Sequence, residues 1–235
     1  DGDVDLFCCG RNPAREQGGS EGILGTPIPY HDANNGGPNL LLRNEGGLRF
    51  TDVTKQVGLD QNNRRYSYAA SWADYDNDGD MDLYVANDFG RNNLYRNDQI
   101  EGRRQFSDVA DALGVEDISA GMSVTWGDFN NDSVMDAYVS NMFSSAGNRI
   151  AYQRQFREHT DSQQRKHFQR HARGNTLFEG FREDGGISFR DVSESAQVTM
   201  GRWAWGAKFC DFNNDGWEDL YVANGFISTA DTGDL

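Results

Sequence analysis

The chain has too few cysteines for a disulfide framework. Only Cys8, Cys9 and Cys210 occur in 235 residues, an odd set whose adjacent pair is too strained to bond to itself. Either Cys210 links to the first part of the chain, if those parts touch, or the thiols are free and buried, which is the expected state. No apolar run reaches the 18 residues that a spanning helix needs, so no membrane span is expected in this segment. Positive charge is scarce too: 22 Lys and Arg against 37 Asp and Glu give a formal charge of -15. With no nucleic-acid motif beside it, that balance argues against nucleic acid as a partner. The HExxH frame and a phosphate-cradling glycine loop are also missing, so the chain is not expected to be an enzyme.

What the chain has instead is acid at close spacing. The stretch DYDNDGDMDLYVAND places Asp74, Asp76, Asp78, Asp80 and Asp82 on alternate residues, an arrangement that repels itself unless a cation sits among the carboxylates. The EF-hand opens in this way but closes with a Glu at position 12 and is flanked by helices. Position 12 here is Val85, inside the β-type run Leu83-Tyr84-Val85. The expected ligands are therefore the side chains of Asp74, Asp76 and Asp78, the backbone carbonyl of Asp80 and the carboxylate of Asp82. Gly79 is expected to take the positive φ that lets the chain wrap an ion.

The frame returns twice and is glimpsed once more. DFNNDSVMDAYVSN offers Asp128, Asn130, Asp132, the carbonyl of Val134, and Asp136; DFNNDGWEDLYVAN offers Asp211, Asn213, Asp215, the carbonyl of Trp217, and Asp219. The opening DGDVDLF fits the later part of the frame through Asp1, Asp3 and Asp5. About three calcium ions are expected, one per complete loop, with a further one at the truncated first loop left open. Ser133 replaces the loop glycine, which costs on the order of 1 kcal/mol at positive φ and makes its loop the weakest complete site. Fifteen of the 37 acidic residues lie in these frames.

Other elements repeat in register with the loops. Apolar runs carrying Trp72, Trp126 or Phe209 precede them, and runs such as NNLYRN and QFSDVADALGV follow, with a period of 54 residues from Asp82 to Asp136. Each unit reads as four short strands with the acidic loop between the first two, the pattern of a β-propeller blade. The aromatic positions are expected to pack between blades.

On the frame at 74–87 and 211–224, its variant at 128–141, and the NxLYRN and GxxFxDV runs, the chain resembles FG-GAP or VCBS repeats of integrin-type propellers. It is similar within them to the bacterial group that looks like cartilage acidic protein. The resemblance implies calcium on one rim of the propeller and a role in scaffolding or adhesion. Seven blades of this size would exceed 235 residues, so a partial, all-β propeller over 1–235 is expected. Its uncovered faces would be met by remaining blades or a neighbouring subunit.

Two insertions interrupt the repeat. Residues 11–38, rich in Gly, Pro and Asn, are expected to be a surface loop in the first blade. Residues 143–174 are basic, carry His159, His167 and His171, and are expected to form one or two short helices on the third blade. A surface or packing role for these histidines is favoured over a transition-metal site. The basic stretch could meet nucleic acid, an anionic polysaccharide or the acidic surface of a neighbouring blade. Together these features suggest a secreted, extracellular or periplasmic scaffold that binds a protein or glycan. The alternative is the non-catalytic propeller portion of a secreted enzyme acting on polysaccharide.

Overall fold

The structure, a computed structural model, describes residues 2–11 and 27–225. Strands dominate and form one antiparallel sheet per sequence repeat. The first sheet contains β1 (Leu6–Cys8), β2 (Leu40–Asn44) and β3 (Phe50–Asp52) in that order. The second begins with β4 (Ser67–Ala73) and β5 (Asp82–Asn87). After the short β6 (Gly90–Arg91) it continues with β7 (Asn93–Ile100) and β8 (Arg103–Asp108), in the order β4-β5-β7-β8. β9 (Ile118–Ser119) pairs with β6 in a separate ribbon. The third sheet takes β10 (Gly121–Gly127) and β11 (Asp136–Asn141), then two helices, α1 (Ser145–Ala151) and α2 (Ser162–Arg173), before β12 (Thr176–Glu183) and β13 (Gly186–Asp191). β14 (Ala204–Cys210) and β15 (Asp219–Asn224) form the last hairpin.

The four-run reading of each repeat thus corresponds to four neighbouring strands in the second and third sheets. Each first hairpin also carries a register shift near its start, at Ser67/Ala69, Gly121/Ser123 and Ala204/Gly206. β10 lies beside both β4 and β14, so the first strands of successive sheets adjoin.

The core lies between sheets. Leu41, Val53 and Leu59 pack on Leu83, Val85, Tyr95 and Phe106. Tyr84 and Leu94 pack on Val124, Val139, Phe178 and Phe189, and Tyr138 and Leu177 pack on Phe209. One aromatic pair recurs across each junction in edge-on geometry: Phe7 with Trp72 at 6.3 Å, Tyr84 with Trp126 at 6.0 Å and Tyr138 with Phe209 at 6.3 Å. The aromatic positions therefore do pack sheet against sheet, each pair adding about 0.5–1.5 kcal/mol beyond burial.

The segment 143–174 holds the two helices at the end of the third sheet opposite its acidic loop. Ser144 caps α1 by accepting from the Gly147 amide at 2.9 Å, and Asp161 caps α2 by accepting from the Gln164 amide at 2.7 Å. α2 ends at Gly174, whose φ is 102° and where a Cβ would stand 2.4 Å from the Thr199 carbonyl oxygen. The basic stretch does meet an acidic surface of the chain itself. Arg170 pairs with Asp117 at 2.8 Å and also with Asp191, which Arg173 reaches at 2.9 Å.

Two expectations need correction or limitation. The thiols are unpaired, but Cys8 and Cys210 are exposed rather than buried, because each alternates along its strand with Phe7 or Phe209, which takes the face packed on the next sheet. Of the first insertion, residues 12–26 lie outside the described residues. The part that follows is tied down rather than loose: Ala33 is fully buried, its amide donates to the Phe89 carbonyl at 2.6 Å, and Asp32 pairs with Arg65 and Arg91.

Candidate metal centres

The acidic loops connect the first two strands of their sheets and share one hydrogen-bond plan. In the loop at 74–82, Asp74 accepts from the amides of Asp78 and Gly79, both at 3.0 Å. Asp128 accepts from Asp132 at 3.0 Å and Ser133 at 2.9 Å. Asp211 accepts from Asp215 at 3.1 Å and Gly216 at 2.8 Å. The third acid of each loop, Asp78, Asp132 or Asp215, accepts from the amide two residues on, at 2.8, 2.8 and 2.9 Å. Those amides belong to Asp80, Val134 and Trp217, side chains with nothing in common. Only their backbone can play a shared part, as the carbonyl reading requires.

Two residues per loop make the turn. Gly79 and Gly216 have φ of 92° and 87°, and Ser133 occupies the same place at 64°. Asn77, Asn131 and Asn214, two residues before them, also have positive φ, at 61°, 57° and 60°. Asparagine tolerates that region better than most side chains, which is a signal that the sequence carried and that spacing alone did not pick out.

The closing acid is more than a prospective ligand. Asp82 is buried and accepts from the Asn97 amide at 2.8 Å and the Tyr75 amide at 3.3 Å. Asp136 does the same with Gly180 at 2.8 Å and Phe129 at 3.0 Å. Each carboxylate clamps the third strand of its sheet to the start of its loop. Asp5 accepts from the Asn44 amide at 2.8 Å, repeating half of the clamp, and Asp219 accepts from Phe212 at 3.2 Å. Asp3 lies two residues before Asp5, and Asp1 falls outside the described residues.

In the loop at 74–82 the oxygens of Asp74, Asp76 and Asp78 come within 4.8 Å of one another. Asp76 Oδ1 is closed off from solvent and has no hydrogen-bond partner among the described residues. Burial and the charge of Asp78 push the Asp76 carboxyl above its ordinary range. Burial similarly pushes Asp82 and Asp136 up to about 7, partly offset by the amides they accept. An all-oxygen donor set with one orphaned buried oxygen fits a hard divalent cation, which would hold these carboxylates in their charged form. In the other two loops Asn130 and Asn213 stand in the place of Asp76 and donate to Asp132 and Asp215 at 3.0 and 2.8 Å. Those loops also touch each other, because Glu218 accepts from the Asp128 amide at 3.0 Å and Asn131 donates to the Gly216 carbonyl at 3.0 Å.

A second repeated device lies at the opposite end of the strands. Asn39, Asn92 and Asn175 each accept, at 2.8 Å, from the amide of the residue five after the closing acid: Gly10, Asn87 and Asn141. The sequence shows these asparagines in register, but their partners lie across strands and are not legible from spacing.

The family model for the FG-GAP-like repeat matches residues 1–85 and 74–139, more than half of the chain. The chain belongs to the FG-GAP-like repeat family. Among curated proteins it is 27% identical over 193 residues to cartilage acidic protein 1 of Mus musculus, covering 82% of this chain and 26% of that protein. It is also 27% identical over 214 residues to cartilage acidic protein 1 of Homo sapiens, covering 88% of this chain and 28% of that protein. The chain thus spans little more than a quarter of the length of these relatives. Among the described residues no helix is long and apolar enough to cross a membrane.

Proposed function

We propose that the chain is a portion of a calcium-stabilised β-propeller that works outside the cytoplasm as a scaffold for a protein or glycan partner. The observation that carries this reading is the repetition, in three loops, of one plan: a first acid that takes two amides, a third acid that takes one, and a closing acid that takes the amide after the first. Such a plan holds carboxylates together at a cost in repulsion that a cation relieves. The adjoining first strands and the recurrent aromatic pairs support a radial arrangement of the sheets. Family membership and the likeness to cartilage acidic protein 1 support an extracellular interaction role. In this reading the loops are pins: Asp74, Asp76, Asp78 and Asp82, and their counterparts, would hold the ion, and its charge would fix two strands at one rim.

Calcium titration of the metal-stripped chain by calorimetry tests the reading. Three sites are expected, falling by one in the double variant Asp74→Asn, Asp76→Asn. A metal-stripped chain that takes up no calcium while still folded would refute it.

A further inference from the structure

Three of the four histidines in the chain meet where the helical segment docks on the sheets. His31 lies on the stretch before β2, and His167 and His171 are one turn apart on α2. The His31 ring stands 5.8 Å from that of His167 and 4.9 Å from that of Phe168, with its Nε2 3.3 Å from the Gln164 amide nitrogen. The His171 ring packs against Tyr30 at 5.4 Å and Phe89 at 6.3 Å. Ile150, Phe156 and Phe168 of the segment share the wall of an apolar chamber of about 830 Å³ with Phe89, Trp203 and Trp205.

This seam suits neutral imidazoles and makes no place for charged ones. A neutral ring can leave Nδ1 bare, whereas an imidazolium carries a proton on both nitrogens. Nδ1 of His167 and Nδ1 of His171 are closed to solvent and have no hydrogen-bond partner among the described residues. A charge on His31 would face His167, and Arg157 beside His31 and Arg91 beside His167 add to the positive field. The acids around the rings are already engaged: Asp32 pairs with Arg65 and Arg91, Asp117 with Arg170, and Asp161 caps α2. Burial lowers the pKa of all three histidines, that of His171 to about 4, against the opposing pull of Asp32, Asp117 and Asp161.

We propose that the helical segment is an acid-released lid: protonation of His31, His167 and His171 undocks α1 and α2 from the sheets and uncovers the apolar chamber. Each ring holds a proton more weakly docked than free, so docking is fully favoured above the free value of about 6.5 and is progressively lost below it. Between pH 7.5 and pH 5.0, His171 alone should weaken docking roughly thirtyfold. The inference does not rest on the calcium loops.

Hydrogen exchange of the calcium-loaded chain at the two pH values, corrected for the intrinsic rate, tests it. Helices of 7 and 12 residues are marginal in water once undocked, so their amides report docking. Protection over 145–151 and 162–173 should fall about thirtyfold or more at pH 5.0, while the buried strands β5 and β11 keep theirs. His171→Phe keeps an aromatic ring against Tyr30 and Phe89, so it should stay docked at pH 7.5 and lose about tenfold less protection at pH 5.0 than the parent chain. His171→Gln serves the same comparison if the phenylalanine loosens docking at pH 7.5. Helix protection that is unchanged at pH 5.0 overturns the proposal. So does a loss as large in the His171 variants as in the parent, or one shared equally by β5 and β11, which would be general unfolding.

Discussion

The hexapeptide Asp-Leu-Tyr-Val-Ala-Asn occurs twice, at residues 82–87 and 219–224. Both copies form a strand after an acidic loop, in the same antiparallel register with the strand before it. Yet every residue of the first copy is buried, whereas the second has none fully buried and leaves Tyr221 59% exposed. Identical sequence dictates the same local structure, and neighbours decide the rest. β5 lies between β4 and β7, with other sheets packed on both faces, while β15 pairs with β14 alone among the described residues. The repeat therefore encodes a strand that can be packed on both sides, and its stabilising value depends on what packs there.

Substitution of the two tyrosines should separate the copies most widely. Tyr84 is fully buried, faces Trp126 and donates to the Val115 carbonyl at 3.0 Å, so Tyr84→Ala should cost about 3–5 kcal/mol. Tyr221→Ala should cost about 1 kcal/mol or less. Urea unfolding of both variants measures the gap, and equal losses would break the comparison.

The closing acids should differ in the same direction by less. Asp82→Ala in the presence of calcium orphans the amides of Asn97 and Tyr75 and should cost about 2–4 kcal/mol. Asp219→Ala removes one bond in an exposed setting, that from Phe212, and should cost roughly half as much.

Acidity offers a third test. Burial lifts Asp82 and Asp136 to about 7, above the ordinary carboxylate value that they regain on unfolding. The unfolded chain therefore releases these protons first as pH rises. Their contribution is fully present below about pH 4 and is lost on the way through pH 7. In chelator, urea midpoints should fall between pH 5 and pH 8, and Asp82→Asn should flatten part of that fall. Calcium, which favours the charged form, should suppress it.

The smallest expected change concerns the loop turn. Ser133 has φ of 64° where its counterparts are glycine, so Ser133→Gly should stabilise the calcium-loaded chain by about 0.5–1 kcal/mol. A thermal melt of that variant beside the parent chain measures it, and a destabilised Ser133→Gly would show that the serine side chain contributes something the backbone argument omits.

Much of this was legible in the residues. Alternate acids marked the loops, the Trp72, Trp126 and Phe209 runs marked first strands, and the recurrence of both separated a repeat from a chance acidic turn. What spacing did not disclose were contacts made across strands: the clamp by which Asp82 and Asp136 hold the third strand, and the asparagines that secure Gly10, Asn87 and Asn141. Both need partners brought near only by sheet pairing. The exposure of Cys8 and Cys210 has the same origin, since which face of β1 and β14 is covered depends on the sheets that pack there.

The central claim is that cations hold the acidic rim together, and thermal unfolding of the calcium-loaded chain with and without a chelator addresses it most directly. The account predicts a melting temperature lower by about 10 °C or more in chelator, restored by added calcium. A melting temperature unchanged by chelation, in a chain whose metal has been verified as removed, would contradict it.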